Sequence, residues 1–339
     1  MRLYHRLLIL AAALAFCVIS LGAYVRLSDA GLGCPDWPGC YGHLIGVPDA
    51  AHEHAAALVD FPGKPVETHK AWKEMLHRYL AGSLGLLIAL IAALAWRHRR
   101  ALQQSPLLPS VLVAVVGLQA LLGMWTVTLL LKPVIVSAHL LGGMTTLALL
   151  VWLILSRQAP KPRSVSSPLR WLALLGLLAV VVQIALGGWV SSNYAALACS
   201  DFPTCLGAWR PEMDFTQAFQ IHRELGQTAE GGFLPASALV AIHWAHRVGA
   251  LVVSLILGTL SILLLRRAEW RNWGLLLGAG LCLQVGLGIA NVLLRLPLHL
   301  AVTHNAGAAV LLTLSLALSF RLWQASEAEH FSRRRDLPS

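Results

Sequence analysis

Charged residues are scarce in this sequence, and acidic residues are the scarcest of them. Asp, Glu, Lys and Arg make up 12% of the 339 residues, whereas hydrophobic residues make up 57%. Soluble globular domains are typically about one quarter charged. The composition therefore excludes an ordinary soluble domain and indicates a protein that lies largely within a lipid bilayer.

The sequence also lacks a continuous basic patch, although 26 Lys and Arg against 16 Asp and Glu give a formal net charge of +10. Fifteen of the 26 basic residues lie among the first residues, in the short segments between apolar runs and in the tail: Arg2, Arg6, Arg97, Arg99, Arg100, Arg157, Lys161, Arg163, Arg170, Arg266, Arg267, Arg271, Arg333, Arg334 and Arg335. Basic residues concentrate in cytoplasmic loops, so both termini are predicted to be cytoplasmic. Their scatter argues against nucleic-acid binding.

The second half of the chain repeats the first. The loop CPDWPGC at 34–40 returns as CSDFPTC at 199–205, and LGAYV at 21–25 returns as LGGWV at 186–190, both displaced by 165 positions. A repeat of this length indicates one structural unit used twice. We predict two tandem pseudo-symmetric four-helix bundles, residues 1–160 and 161–339.

Eight apolar runs are long enough to cross a bilayer, four in each half. Runs of about 18 or more such residues are typical of transmembrane helices. The runs cover approximately residues 7–25, 76–96, 107–130, 134–156, 171–192, 236–265, 273–294 and 297–320. The first is not interpreted as a signal peptide, because its repeat partner lies in the middle of the chain. The sequence therefore predicts an all-α membrane protein with eight transmembrane helices.

Cysteines are few, and four of the six fall in the two repeated loops. The predicted orientation places these loops on the outer face, where disulfides form and persist. We interpret Cys34–Cys40 and Cys199–Cys205 as disulfides that staple the loops. A redox or metal-binding role is the alternative, although the Cys-x-x-Cys spacing typical of such sites is missing.

Four histidines occupy repeated positions inside the apolar runs. His77 and His246 lie on the second predicted helix of each half, and His139 and His304 lie on the fourth. All four fall near the outer ends of their helices, and second and fourth helices of a bundle face each other across its core. Two facing imidazoles in an apolar core are typical axial ligands of haem iron. Copper or another metal is the alternative.

An arginine follows one histidine in each half, Arg78 after His77 and Arg247 after His246. A guanidinium suits a carboxylate, so these arginines are candidates for contacts with haem propionates. The equal alternative is that they only extend toward the outer interface. The sequence leaves both interpretations open.

One carboxylate distinguishes the two halves. Glu74 lies one helical turn before His77 and therefore shares its face, whereas its counterpart in the second half is His243. A carboxylate beside a haem can accept a proton or stabilise positive charge on a reacting carbon. The asymmetry predicts a reactive haem site in the first half and an electron-carrying haem in the second.

Several motifs together resemble haem A synthase. They are the run YVRLSDAGLGCPDWPGC at 24–40, Glu74-x-x-His77-Arg78, Ile242-His243-x-x-His246-Arg247 and Thr303-His304-Asn305. The resemblance covers nearly the whole chain, although paired loop cysteines occur in only part of that family. It does not explain His243.

The resemblance implies a multi-pass enzyme of the bacterial inner membrane that oxidises the C8 methyl group of haem O to a formyl group by successive hydroxylations. It implies a resident haem b on His246 and His304. It places the substrate haem on His77 and His139, with Glu74 as the catalytic residue. Haem O synthase is the expected donor of the substrate, and the resemblance leaves the electron acceptor open.

Two other classes of membrane protein compete with this interpretation. A membrane b-type cytochrome that acts as an electron-transfer reductase usually stacks haems across both leaflets, but the inner helix ends here hold no histidine apart from His98. A repeat-built transporter usually places its site at the midplane in broken helices. No paired Gly or Pro interruption occurs at that depth.

Overall fold

The computed structural model describes residues 2–158 and 165–335. Eight long helices dominate it, and we number them in chain order: α1 Arg2–Leu27, α2 Thr68–Arg97, α3 Leu107–Thr128, α4 Pro133–Leu155, α5 Ser167–Ser192, α6 Ala236–Leu265, α7 Arg271–Leu293 and α8 Leu298–Arg335. By length and composition, all eight qualify as membrane spans. The predicted all-α membrane protein with eight transmembrane helices is confirmed.

The helix bounds differ from the apolar runs mainly at α2. This helix begins at Thr68, about two turns before the predicted run at 76. Hydropathy detects only the apolar part of a helix, whereas intrahelical hydrogen bonding continues through its polar first turns. Glu74 and His77 consequently lie on continuous helix rather than at its start.

Tight connections join α3 to α4 and α7 to α8. Leu130 and Leu131 adopt left-handed backbone with φ of 48° and 59°, and Arg295 and Leu296 repeat this with φ of 59° and 61°. In both turns a backbone N–H returns to a carbonyl of the preceding helix, at 2.8 Å for Leu131 to Thr126. Such short turns make the joined helices antiparallel neighbours.

The helices of each half form a closed ring of neighbours. In the first half α1 contacts α2, α2 contacts α3, α3 contacts α4, and α4 contacts α1; α5 to α8 repeat this order. The second and fourth helices of each half are therefore at opposite corners. This arrangement directs the histidine-bearing helices of each half toward a shared core.

The two rings meet along α1, α4, α5 and α8, where α1 contacts α8 and α4 contacts both α5 and α8. A single hydrophobic cluster extends through both rings and includes Leu8, Ile88, Leu150, Leu257 and Leu318. The predicted division at residue 160/161, with Lys161 and Arg163, lies outside the described residues. The two-unit division stays a prediction.

The two long loops, 28–67 and 193–235, contain short helices that the sequence pattern did not predict. They are Ala51–Asp60, the 3₁₀ turn Ala195–Leu197 and Phe215–Ala218. These segments are too short or too polar to stand out in a hydropathy pattern. They pack against the ends of α2 and α6, two of the helices that carry the candidate site.

Candidate functional site

Two histidines face each other in the core of the first half. The ring centres of His77 on α2 and His139 on α4 are 6.4 Å apart, and the ring planes are inclined by 79°. A metal–imidazole bond is about 2 Å long, so two such bonds plus the ring radii span roughly 6 Å. The predicted juxtaposition across the bundle is present and fits one metal ion between the rings.

Glycines let these rings lie directly against neighbouring helices. A Cβ atom built on Gly22 of α1 would be 2.9 Å from His77 Cε1, and one built on Gly123 of α3 would be 3.4 Å from His139 Cε1. A side chain at Gly22 would therefore displace the imidazole. The glycines fix how far each ring can move away from the core.

The second half repeats this geometry. A Cβ atom built on Gly187 of α5, or on Gly288 of α7, would lie 3.1 Å from Cε1 of His246 or His304 respectively. His246 lies on α6 and His304 on α8, the diagonal helices of this half, as His77 and His139 do in the first. Each half thus presents two imidazoles from opposite corners of its ring of helices.

A glutamine amide packs beside three of the four histidines. Each amide lies against a glycine that follows the histidine by three residues on the histidine's own helix. The pairs are Gln119 with Gly142, Gln183 with Gly249, and Gln284 with Gly307. The amide of Gln183 donates to the carbonyl of His246 at 2.9 Å, and that of Gln284 to the carbonyl of His304 at 3.0 Å. These contacts between neighbouring helices were not predicted from the sequence.

His77 lacks this support. The positions that correspond to Gln183 and Gly249 in the first half are Val18 and Leu80, and the Nδ1 atom of His77 is buried without a hydrogen-bond partner. The histidine nearest the carboxylate is therefore held differently from the other three.

The protein offers two imidazole nitrogens in each half, which suits a metal ion whose other ligands come from a bound cofactor. Among the described residues, no three His, Cys, Asp or Glu side chains come together as a metal site. The Nδ1 atoms of His77, His139 and His304 are buried without a well-formed hydrogen bond. Two imidazoles per half in an apolar core match the axial needs of a haem, whose porphyrin supplies the other ligands.

Glu74 is buried, with 5% of its surface exposed. One carboxylate oxygen accepts a hydrogen bond from the backbone N–H of Cys34 at 2.9 Å, and the other is paired with Arg78 one turn away. The carboxylate is thus oriented by the stapled loop and by an adjacent cation. A buried charge held in this way is available to a neighbouring ligand without reorganisation.

Arg78 and Arg247 hold the stapled loops in place. Arg78 donates to the carbonyls of Asp36 (2.9 Å) and Gly39, and Arg247 donates to those of Cys199 (3.1 Å), Asp201 (2.7 Å) and Thr204. With these donors used, a contact between either guanidinium and a haem propionate stays a prediction.

His243 is the structural counterpart of Glu74 in the second half. Its Nδ1 accepts the backbone N–H of Cys199 at 3.4 Å, in the position where Glu74 accepts that of Cys34. The second half therefore anchors its loop with an imidazole where the first half uses a carboxylate. This explains the residue that the sequence resemblance left unassigned.

Both predicted disulfides are present, Cys34–Cys40 and Cys199–Cys205. Inside each loop an aspartate accepts two backbone N–H groups, Asp36 in the first and Asp201 in the second. Hydrogen bonds from Thr204 and from the backbone hold the pKa of Asp201 below its usual range. The disulfide and these hydrogen bonds constrain each loop, and a backbone N–H of the loop in turn orients Glu74 or His243.

Replacing Cys34 and Cys40 together by serine is expected to lower the free energy of unfolding by about 2 kcal/mol, because a short closed loop loses its covalent constraint. Thermal unfolding in detergent measures this, with Cys17→Ser as the control, since Cys17 is a free thiol. Mass mapping of non-reduced peptides should give the two loop linkages. Free thiols at all four loop positions in freshly prepared protein would contradict the assignment.

The chain was compared with known proteins. It matches the model of the COX15-CtaA family, described as cytochrome oxidase assembly protein, over residues 5–316, a range that includes the four histidines and Glu74. A haem A synthase of Shewanella oneidensis is 46% identical over 316 residues, which cover 92% of this chain and 94% of that protein. A haem A synthase of Caulobacter vibrioides is 27% identical over 338 residues, which cover 93% and 94% of the two chains.

The family match covers most of the chain, and the Shewanella relative is similar over almost its whole length. The chain therefore belongs to the COX15-CtaA family of cytochrome oxidase assembly proteins, and the curated relatives named above are haem A synthases.

Proposed function

We propose that this protein is a haem A synthase, an oxidoreductase of the membrane that converts haem O to haem A by oxidising the C8 methyl group to a formyl group. The family and its curated relatives support the reaction class. The observation that carries the proposal for this chain is the facing imidazole pair next to a buried carboxylate. A reductase that only transfers electrons would not need that carboxylate.

The substrate haem is assigned to the first half. His77 and His139 would bind its iron on opposite faces, since their separation of 6.4 Å accommodates one metal between two axial nitrogens. The glycines at 22 and 123 hold both rings toward the core. A haem held by these two imidazoles would lie in the half that carries Glu74, which stands three residues before His77 on α2.

Glu74 is the proposed catalytic residue. Turning a methyl group into a formyl group breaks C–H bonds, so protons and electrons must leave the carbon. A buried carboxylate can accept a proton or stabilise positive charge that develops on that carbon. Because the histidines are engaged as iron ligands, Glu74 is the acidic group of this half best placed to do so.

The second half is the proposed site of a resident haem b, bound by His246 and His304. The buried Nδ1 of His304 and the two glycines against the rings fit this group. When bound, haem b supplies one-electron transfer away from the substrate site. The residues of the chain would hold it through two imidazoles, and the amides of Gln183 and Gln284 would fix the helices that carry them.

The proposed location is the bacterial inner membrane, with both termini in the cytoplasm. Arginines lie at the ends of the helices away from the disulfide loops, for example Arg97 and Arg266, and basic residues mark the cytoplasmic side. Disulfides favour the oxidising outer compartment. The haem sites would then lie near the periplasmic surface, and haem O synthase in the same membrane is the proposed source of the substrate.

Analysis of the haems bound to the purified protein tests the function. Pyridine haemochrome spectra and chromatography are expected to show haem B together with haem O, its alcohol or haem A. Haem B alone, in protein purified from cells that make haem O, would contradict a site for the farnesylated substrate.

Gly288→Ala is expected to weaken haem binding in the second half, whereas Gly286→Ala is not. A Cβ atom at Gly288 would be 3.1 Å from the imidazole of His304, but nothing lies within 4 Å of one at Gly286. Overpacking costs about 1–3 kcal/mol, which corresponds to binding weaker by roughly fivefold to a hundredfold. Alanine favours helix over glycine, so α7 should form in both variants.

The haem-to-protein ratio and the low-spin spectrum measure this difference. Since Gly286 and Gly288 lie two residues apart on one helix, Gly286→Ala controls for general effects on α7. Equal haem contents in the two variants would contradict the role assigned to the glycine at 288.

A further inference from the structure

The two proposed haems make opposite demands on the protein. Under the proposed function, the substrate haem enters and its product leaves in every reaction cycle, whereas the resident haem stays bound. Each of them is assigned two axial imidazoles. A difference in retention must therefore come from groups around the ligands, and the two halves differ in such groups.

The second half ties both of its histidine-bearing helices to their neighbours through glutamine. Gln183 on α5 donates to the backbone carbonyl of His246 at 2.9 Å, and its amide nitrogen also lies 3.1 Å from Nδ1 of that ring. Gln284 on α7 donates to the carbonyl of His304 at 3.0 Å. Polar side chains that bond across helices hold membrane helices together. Each bond limits how far a helix can carry its imidazole away from the core.

A glycine makes room for each of these amides. A Cβ atom built on Gly249 would lie 2.2 Å from Oε1 of Gln183, and one built on Gly307 would lie 2.2 Å from Oε1 of Gln284. Any side chain at either glycine would therefore displace the amide. Each glutamine and its glycine form one unit, and losing either member removes the contact.

The first half keeps only part of this arrangement. Gln119 on α3 lies against Gly142 on α4, but its amide nitrogen is buried without a hydrogen-bond partner. At His77 both members of the pair are replaced, by Val18 on α1 and Leu80 on α2. Val18 has no donor and packs against the hydrophobic cluster, and a leucine on the facing helix leaves no space for an amide.

We propose that His77 is the ligand that releases the substrate haem and its product, and that Val18 and Leu80 cause this by excluding a glutamine. The inference rests on the proposed function, because it needs a haem between His77 and His139. No glutamine bonds the backbone at His77, so this part of α2 can move away from the core at less cost than the corresponding part of α6. Exchange of the haem therefore begins at His77.

Retention of the bound haems by the purified full-length protein tests the proposal. Protein purified from cells that make haem O is mixed in detergent with an excess of apomyoglobin, which accepts released haem. Samples are separated from the acceptor over time, and chromatography of the retained haems distinguishes haem B from the farnesylated haems O and A. One preparation thus gives the release rates of both kinds of haem, and in wild type the farnesylated haem should leave faster.

Installing the missing pair in the first half should slow the release of the farnesylated haem. Val18→Gln combined with Leu80→Gly copies the second-half arrangement. Leu80→Gly alone is the matched control, because it creates the same space without the amide. The double variant is expected to release farnesylated haem roughly threefold to tenfold more slowly than Leu80→Gly, as one hydrogen bond between membrane helices would allow. Haem B should leave both variants at the same rate.

Removing the amide from the second half should have the reverse effect. Gln183→Val is expected to release haem B roughly threefold to tenfold faster than wild type, while the farnesylated haem leaves at the wild-type rate. In each variant the haem of the unaltered half is the internal control. General damage to the fold would speed the loss of both haems, whereas loss of this contact affects one.

Any of three results overturns the proposal. The first is farnesylated haem that leaves wild type no faster than haem B. The second is farnesylated haem that leaves the double variant as fast as it leaves Leu80→Gly. The third is haem B that leaves Gln183→Val at the wild-type rate, and it decides with the first where the variants at 18 and 80 do not fold. Wild-type protein that carries no farnesylated haem before the acceptor is added would instead contradict the proposed function.

Discussion

Glu74→Gln is expected to abolish haem A formation almost completely while the protein keeps its fold, its resident haem and its ability to bind haem O. Glutamine has nearly the same shape, and its amide oxygen can still accept the hydrogen bond from Cys34 N–H that orients Glu74 at 2.9 Å. What it loses is the negative charge, and with it the ion pair to Arg78, together with the ability to take a proton. Loss of a general base typically lowers a rate by about 10²–10⁴-fold.

The ratio of haem A to haem O extracted from cells measures this effect. Glu67→Gln is the matched control, since Glu67 is an exposed carboxylate at the start of the same helix whose ion pair with Lys70 is also exposed. Haem A at the wild-type level in Glu74→Gln would show that Glu74 only anchors the loop.

The variant Glu74→His separates the anchoring of the loop from the oxidation chemistry more sharply than Glu74→Gln does. In the second half His243 accepts the N–H of Cys199, as Glu74 accepts that of Cys34. Glu74→His would therefore copy the anchor without the carboxylate. We expect it to keep the stapled loop in place but to lose haem A formation, as Glu74→Gln does.

His246→Ala and His304→Ala are each expected to remove the low-spin b-type spectrum of the purified protein. Each imidazole would supply one axial nitrogen, and the described residues hold no cluster of three or more His, Cys, Asp or Glu groups that could bind the iron in its place. Haem with a single axial histidine would lose its low-spin character and dissociate more readily. Optical and electron paramagnetic resonance spectra of the reduced and oxidised protein measure this loss.

His299→Ala is the control, because His299 lies on the same helix as His304 but is exposed. It should leave the spectrum unchanged. If both His246→Ala and His304→Ala also retain the wild-type spectrum, the resident haem is held elsewhere and the assignment is wrong.

The sequence predicted the features that the bilayer and the repeat impose. Eight apolar runs became eight helices because backbone groups in lipid must be satisfied within the segment. The repeated cysteines became disulfides, and His77 and His139 face each other because second and fourth helices of a four-helix ring are diagonal. These features depend on local pattern and chain order alone.

Other features depend on how two helices align, which the sequence does not reveal. Gly22 is an ordinary helical glycine until its helix is placed against His77. Arg78 follows a histidine, which suggested a contact with haem and stays a prediction, but only the structure shows that its side chain also donates to the loop carbonyls.

Conversion of haem O into haem A by this chain is measured most directly by haem extraction from a bacterial host that makes haem O but has no haem A synthase of its own. Expression of the wild-type chain is expected to produce haem A by chromatography and mass spectrometry, whereas Glu74→Gln expressed at the same level should leave haem O. Haem O that stays unconverted in cells containing the folded, haem-loaded wild-type protein would contradict the account.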